Sequence, residues 1–324
     1  MSTVFSTVLL VALPASGKSE VRNFLSHIEP ERLKEEFHIG ENLQLDDFPY
    51  VFMMRRIDEE LQKLGHPGLY YLDGDTFTHN EDWGTLIHLL NEDFADMRNR
   101  RRTTADSAAE ELFARIDAAS VKAGLAPRLS LLPDDLRKAV AQAMEEEAKK
   151  LKEDKESQYP DDFTDKTIVI ECARGGPDGA QMPLTGADGY QYSFAQLSPE
   201  ILKEAVILYI WVTPEESRRK NRARANPDDP GSNLFHGTPE AVMLRNYGCD
   251  DMLYLLEQSD VENTITIKVH GETFHLPIGI FDNRVDKTSF LRGEKEGWTA
   301  DLVDDMTKAV KKATDAMWEH YSGR

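Results

Sequence analysis

The chain has 324 residues, of which 40% are hydrophobic, and its formal net charge at pH 7 is −20. A chain of this length can bury a large core, whereas its acidity argues against a non-specific nucleic-acid binder, because charge repulsion opposes association with phosphate backbones. Two cysteines exclude a disulfide framework and a cysteine-based metal cluster, and we expect a cytoplasmic protein.

The first predicted element is a strand that leads into a phosphate-binding loop. The apolar run at residues 8–13 meets a Gly-Lys-Ser triplet and then helix-compatible sequence. This order provides a strand, small residues whose N–H groups surround an anion, and a helix whose positive end faces phosphates. The loop residues expected to bind a nucleotide are Leu13, Pro14, Ala15, Ser16, Gly17, Lys18 and Ser19.

Lys18 and Ser19 have separate roles in such a loop. Lys18 would reach the β- and γ-phosphates, and Ser19 would hold Mg²⁺. The usual pattern starts with glycine at the position of Ala12, and alanine fits there if its φ is negative. The apolar stretch before the loop lacks a basic region, so we interpret it as a core strand rather than a signal peptide, and no membrane segment is expected.

Four further strands are predicted at residues 40–47, 168–170, 206–212 and 276–281, separated by helical or mixed segments. This alternation predicts an α/β fold with a doubly wound, mostly parallel sheet of the P-loop NTPase type. Ligands bind such sheets at the carboxyl ends of the strands. Polar residues that directly follow a strand are therefore candidates for chemistry.

Long helices interrupt this alternation at residues 83–160, which we predict to be a helical insertion. The nucleotide-binding core then comprises residues 1–82 and 161–324. Within it, residues 299–321 are expected to form an amphipathic helix that packs on the core. Its predicted apolar stripe is Leu302, Met306, Val310, Ala313 and Met317.

A basic cluster ends one of the insertion helices. It consists of Arg98, Arg100, Arg101 and Arg102. Positive charge at this end complements the helix dipole, whereas guanidinium groups also match the phosphate oxygens of an anionic acceptor. Both interpretations remain open.

Carboxylates follow the predicted second and third strands. Asp46 and Asp47 end the second, and Glu171 ends an apolar run of the Walker B type, where it would hold Mg²⁺. In these motifs the sequence resembles the P-loop kinase group that includes adenylylsulfate kinase, gluconate kinase and zeta-toxin-like kinases. The resemblance implies Asp47, or its neighbour Asp46, as the general base. Asp75 is an alternative, because adenylylsulfate kinases carry Asp-Gly-Asp at the corresponding position.

A basic helix follows the predicted strand at residues 206–212. Thr213 and Pro214 begin it with a capping box, and Arg218 and Arg222 share one of its faces. The resemblance to P-loop kinases implies that these arginines belong to a lid over the transferring phosphoryl group. Asn283 resembles the asparagine that some zeta-toxin-like kinases carry near the adenine pocket.

These features predict an ATP-dependent kinase that moves the γ-phosphoryl group to a hydroxyl or phosphate of a small molecule, with ATP and Mg²⁺ as cofactors. Its expected catalytic residues are Lys18, Asp47, Arg218 and Arg222. One alternative is a nucleotide-dependent switch or regulatory ATPase whose helical insertion binds a protein partner. A second is a polynucleotide end kinase that uses the cluster at residues 98–102, although the net charge counts against it.

Overall fold

The computed structural model describes residues 3–72, 76–224, 237–293 and 295–322. The strands are β1 (Thr7–Val11), β2 (Glu41–Asp46), β3 (Lys166–Cys172), β4 (Ala205–Trp211), β5 (Thr264–Val269) and β6 (Glu272–Asp282). The α-helices are α1 (Lys18–Ser26), α2 (Pro30–Phe37), α3 (Phe48–Lys63), α4 (Asp82–Asn99), α5 (Ala108–Lys122), α6 (Asp134–Ser157), α7 (Gly189–Ala195), α8 (Pro199–Glu204), α9 (Pro214–Arg224), α10 (Glu240–Asn246), α11 (Met252–Glu257) and α12 (Ala300–Tyr321).

The strands form one sheet in the order β2-β3-β1-β4-β6-β5. The neighbours from β2 to β6 pair in parallel, and β5 pairs antiparallel with β6. The predicted α/β class and mostly parallel sheet are therefore confirmed, whereas the edge strand β5 was not predicted. The chain leaves β1 toward β2 at one edge of the sheet, and it later crosses β1 from β3 to reach β4 on the other side of β1. The carboxyl end of β1 is therefore a topological switch point, where open α/β sheets bind ligands.

Helices cover both faces of the sheet. Val8 and Leu10 of β1 belong to the cluster that includes side chains of α1 and α12, while Leu9 and Val11 face a cluster built with α4, α7 and α11. This explains the unbroken apolar sequence of the central strands, because both of their faces are buried. On α12 the predicted stripe is buried from Met306 onward, but Leu302 is 40% exposed.

The helices α4, α5 and α6 lie in the segment predicted to be helical. One side of α4 contributes Leu90 and Phe94 to the core against the sheet, and its other side contributes Leu86 and Leu89 to a core shared with α5 and α6. The helices α5 and α6 are thus joined to the sheet through α4, which belongs to both cores. Among the helices of the described ranges, none has the length and apolar character needed to cross a membrane.

Candidate functional site

The loop between β1 and α1 contains a glycine that no other residue can replace without strain. Gly17 has a φ of 109° and directly precedes α1. A Cβ atom there would lie 2.6 Å from Oγ1 of Thr288 and 2.9 Å from Nδ2 of Asn283. Both the dihedral angle and the close packing therefore require glycine. Ala12 is fully buried and is not among the residues with positive φ, so alanine fits at this position.

The N-terminus of α1 presents donors that the rest of the described chain does not use. Its cap residue makes no side-chain capping bond. Among the described residues, none accepts a hydrogen bond from the backbone N–H groups of Gly17, Lys18 or Ser19. Such groups, together with the helix dipole, attract phosphate and other anions.

Two side chains from elements distant in the sequence donate hydrogen bonds to carbonyl groups of the loop. The Ser217 hydroxyl donates to the Pro14 carbonyl at 2.7 Å, and the Asn283 amide donates to the Ser16 carbonyl at 2.7 Å. Asn283 is fully buried, and its Oδ1 accepts from the N–H of Lys287. Asn283, predicted to contact the nucleotide, thus lies beneath the loop and is not among the residues that line the adjacent cavity.

A cavity of about 240 Å³ opens beside the loop. The predicted loop residues from Pro14 to Ser19 line one part of it, and Asp46, Asp47 and Glu171 line another. The Lys18 ammonium donates to the Cys172 carbonyl at 3.1 Å, at the end of β3. The fold therefore brings together the predicted loop and the predicted strand-end carboxylates.

Asp46 and Glu171 are direct neighbours on the parallel strands β2 and β3. Paired residues on adjacent strands point to the same side of a sheet, here the side that carries α1. Burial, followed by the nearby charges of Glu171 and Asp47, raises the pKa of Asp46 to about 7. Its Oδ1 accepts a hydrogen bond from the N–H of Phe48 at 2.9 Å.

Glu171 is already engaged by two neighbours. Arg22 of α1 forms an ion pair with it, and the Gln44 amide donates to it at 3.2 Å. Within the described ranges, no group of three or more His, Cys, Asp or Glu side chains is arranged to hold a metal ion. Glu171 and the Ser19 hydroxyl, both on the cavity, still fit Mg²⁺, which takes few protein ligands and keeps several waters.

Asp47 is engaged by a buried arginine. The Arg174 guanidinium, only 2% exposed, lies 2.6 Å from the Asp47 carboxylate and also donates to the Ser193 hydroxyl at 3.0 Å. Burial opposes the charge of Arg174, but its interactions with Asp47, Cys172 and Tyr247 together raise the pKa of the arginine. One Asp47 oxygen is thus committed to an ion pair, which suits a positioning role better than proton transfer.

The predicted lid helix α9 begins as expected, with the N–H of Glu216 donating to Thr213 Oγ1 at 3.2 Å. Its two predicted catalytic arginines do not line the cavity. Arg218 pairs with Asp178 at 3.1 Å, and Arg222 pairs with Glu240 at 3.1 Å. In this conformation both guanidinium groups are neutralised by acids outside the site.

Two other predicted sites have different outcomes. Asp75 lies outside the described residues. The basic cluster at residues 98–102 does not line the cavity, and three of its members pair locally with acids: Arg98 with Glu204, Arg101 with Asp96 and Arg102 with Glu156. In the described part of the chain these three arginines are therefore engaged by acids of the protein itself.

Sequence reasoning did not identify the aromatic part of the cavity. Its ring-bearing residues include Tyr71, Phe77, Trp83 and Tyr247, to which we refer as the aromatic wall. They come from three separate segments, and no local pattern connects them. Arg22, also missed, could have been found from its spacing, since it lies one helical turn after Lys18.

Comparison of the chain with protein-family models, with curated proteins and with solved structures gave no significant match. The geometry of the site therefore carries the functional argument.

Proposed function

We propose that this protein is an ATP-dependent phosphotransferase that moves the γ-phosphoryl group of ATP to a hydroxyl or phosphate of a small molecule. The observation that carries the proposal is the loop between β1 and α1. Unpartnered N–H groups, Gly17 in a left-handed conformation and the Lys18 ammonium surround one end of a cavity that also contains strand-end carboxylates. This combination suits a triphosphate better than a neutral ligand.

Each residue of the site then has a physical role. The N–H groups of residues 17–19 bind the β- and γ-phosphate oxygens, and Lys18 neutralises the charge that is transferred. Ser19 and Glu171 are the residues that would hold Mg²⁺, which offsets negative charge on the phosphates when bound. Arg22 pairs with Glu171 and also lines the cavity, so its remaining N–H donors would be available to a phosphate oxygen.

Asp46 is the better supported of the two neighbouring candidates for the general base. It lines the cavity on the same side of the sheet as the start of α1, whereas Asp47 is held by Arg174. Proton transfer requires a carboxylate oxygen within hydrogen-bond reach of the acceptor hydroxyl. We assign the base to Asp46 and a positioning role to Asp47.

The test follows the label from γ-labelled ATP in the presence of Mg²⁺ and a small-molecule extract of cells. We expect label in a new metabolite, and we expect its loss in Lys18→Ala but not in the matched surface variant Lys150→Ala. Lys150 is 76% exposed on α6, so its removal tests for unspecific charge effects. Asp46→Asn should lower kcat by about 10²-fold or more, the usual contribution of a general base.

Two outcomes would contradict the proposal. Label that appears only in orthophosphate, in a reaction that needs Lys18, would favour a regulatory ATPase. Equal activity of Lys18→Ala and the unmodified protein would show that the loop does not bind the reacting phosphates.

A further inference from the structure

The cavity has an aromatic end whose purpose the phosphate chemistry does not explain. The rings of Tyr71 and Phe77 are stacked with centroids 4.8 Å apart, and Trp83 meets Phe77 edge to face at 4.8 Å. Tyr247 continues the wall, with its ring centroid 5.9 Å from that of Trp83. Four rings, each in contact with the next, thus line a space that also reaches the loop between β1 and α1.

Backbone and side-chain contacts fix the position of the aromatic wall. Tyr71 and Phe77 lie opposite each other in an antiparallel backbone bridge, and the Tyr71 hydroxyl donates to the Val51 carbonyl of α3 at 3.0 Å. Phe77 and Trp83 are 2% and 8% exposed. A rigid, apolar surface of this kind binds a flat apolar group without losing much side-chain entropy.

The aromatic wall lies on the carboxylate side of the site. Arg174, which pairs with Asp47, also has its guanidinium 4.9 Å from the Trp83 ring centroid and donates to the Trp83 carbonyl at 3.4 Å. The general base must contact the acceptor and not the departing nucleoside diphosphate. A group that binds beside the carboxylates is therefore part of the acceptor.

A second feature of the wall concerns charge. The Arg55 guanidinium lies 5.5 Å from the Tyr71 ring centroid and lines the same cavity. Guanidinium groups stack on planar rings and favour electron-rich ones.

Resting on the proposed function, we infer that the acceptor is a hydroxylated compound with a planar aromatic or heteroaromatic ring, which packs on the aromatic wall while its hydroxyl reaches Asp46. The bond between the γ-phosphorus and the bridging oxygen breaks, and a bond from phosphorus to the acceptor oxygen forms. The hydroxyl proton passes to Asp46, and the products are ADP and the phosphorylated ring compound.

The experiment isolates the labelled product formed from a cell extract and determines by ultraviolet absorbance and mass spectrometry whether it contains a ring. Kinetics with that acceptor then compare Tyr71→Leu, which removes the ring, with Tyr71→Phe, which keeps it. Tyr254→Leu is the matched control. Tyr254 lies on α11, does not line the cavity, and packs against the core cluster that α4, α7 and α11 form with the sheet.

We expect a ring in the product and an acceptor KM that rises about tenfold in Tyr71→Leu, a loss of one stacking contact. The acceptor KM should stay within about twofold in Tyr71→Phe and Tyr254→Leu, and the KM for ATP within about twofold in all three. If Tyr71→Leu fails to fold, the chemical identity of the labelled product still shows whether the acceptor contains a ring.

Three results would overturn the inference. A labelled product without a ring refutes it but leaves the phosphotransferase intact. A rise in the KM for ATP, with the acceptor KM unchanged, would assign the aromatic wall to the adenine base instead. Label confined to orthophosphate refutes both the inference and the proposed function.

Discussion

Gly17 combines two constraints that can be separated by mutation. Its φ of 109° disfavours any side chain, and a Cβ would also collide with Thr288 and Asn283. Gly65 has a φ of 80°, and nothing lies within 4 Å of the position that a Cβ would take there, so it carries the first constraint alone. An alanine at Gly65 therefore measures the cost of backbone strain alone, and an alanine at Gly17 adds the cost of the collision at the loop.

We predict that Gly17→Ala lowers the free energy of unfolding by more than the roughly 1 kcal/mol expected for strain in Gly65→Ala, and abolishes nucleotide binding. Urea unfolding measures the first effect, and titration with a fluorescent ATP analogue measures the second. Full nucleotide affinity in Gly17→Ala would show that the loop tolerates a side chain.

Asp250 links stability to pH. It accepts hydrogen bonds from the Tyr209 hydroxyl at 2.9 Å and from the N–H of Met252 at 3.0 Å, but burial raises its pKa from 3.8 to about 6. A raised pKa in the folded state means that this group favours folding most below its unfolded pKa. That contribution is lost as the pH rises through the folded value.

The unmodified protein should therefore lose, relative to Asp250→Asn, at most about 3 kcal/mol of unfolding free energy between pH ~4 and pH ~6. Asparagine keeps the accepting oxygen and cannot ionise. The unfolding free energy of the Asp250→Asn variant should therefore change less over this pH interval. The measurement is urea unfolding of both proteins across the interval, and parallel curves would refute the assignment.

At the scale of elements, the close approach of α12 to the sheet depends on Gly279 of β6. A Cβ there would lie 2.1 Å from the Ala313 carbonyl oxygen and 2.9 Å from Cγ of Met317. Gly297, in contrast, has nothing within 4 Å of such an atom. The first glycine is thus part of an interface, and the second faces open space.

Gly279→Ala should lower the free energy of unfolding by about 1–3 kcal/mol or more, because the helix must move away from the strand. Gly297→Ala should change it by less than about 0.5 kcal/mol. Denaturant unfolding monitored by tryptophan fluorescence checks both values, and similar effects of the two substitutions would contradict the close packing.

The central elements could be predicted because their signals are local. The apolar runs of β3 and β4 and the periodicity of α12 follow directly from burial on two faces or on one stripe. The edge strand β5 was missed, since its alternating sequence lies outside the doubly buried part of the sheet. Leu302, predicted to belong to the apolar stripe, lies one turn before the buried part of α12, which begins at Met306.

The candidate site divides in the same way. The loop and its neighbouring carboxylates follow from short motifs, whereas the ion pair of Asp47 and Arg174 joins residues 127 positions apart. Likewise, the position of Asn283 beneath the loop depends on a contact with Ser16 across 267 positions. Contacts between residues so far apart in the chain leave no short motif, so they could not be predicted from one sequence.

At the scale of the whole molecule, Arg174 connects four parts of the fold. From the end of β3 it reaches Asp47 before α3, the Trp83 carbonyl of α4 and the Ser193 hydroxyl of α7. Because the guanidinium is buried, each of these contacts forms away from water, where an unpaired partner is costly.

Arg174→Met should therefore destabilise the protein by about 3–5 kcal/mol, because it leaves the Asp47 carboxylate buried without its cation. Adding Asp47→Leu should recover part of this loss, since an apolar pair carries no unpaired charge. Thermal unfolding of the single and double variants tests the coupling. Equal melting temperatures for the two would show that the ion pair does not matter.

The bracing of the phosphate-binding loop also bears on how the protein is made. The strand β1 lies between β3 and β4, and the loop that follows it is held by Ser217 and Asn283, both far downstream. A ribosome that has passed residue 19 must still add more than 260 residues before the Asn283 brace exists. The loop that we propose to bind ATP therefore lacks this brace until Asn283 has been synthesised, and we expect its final conformation to form only after that point.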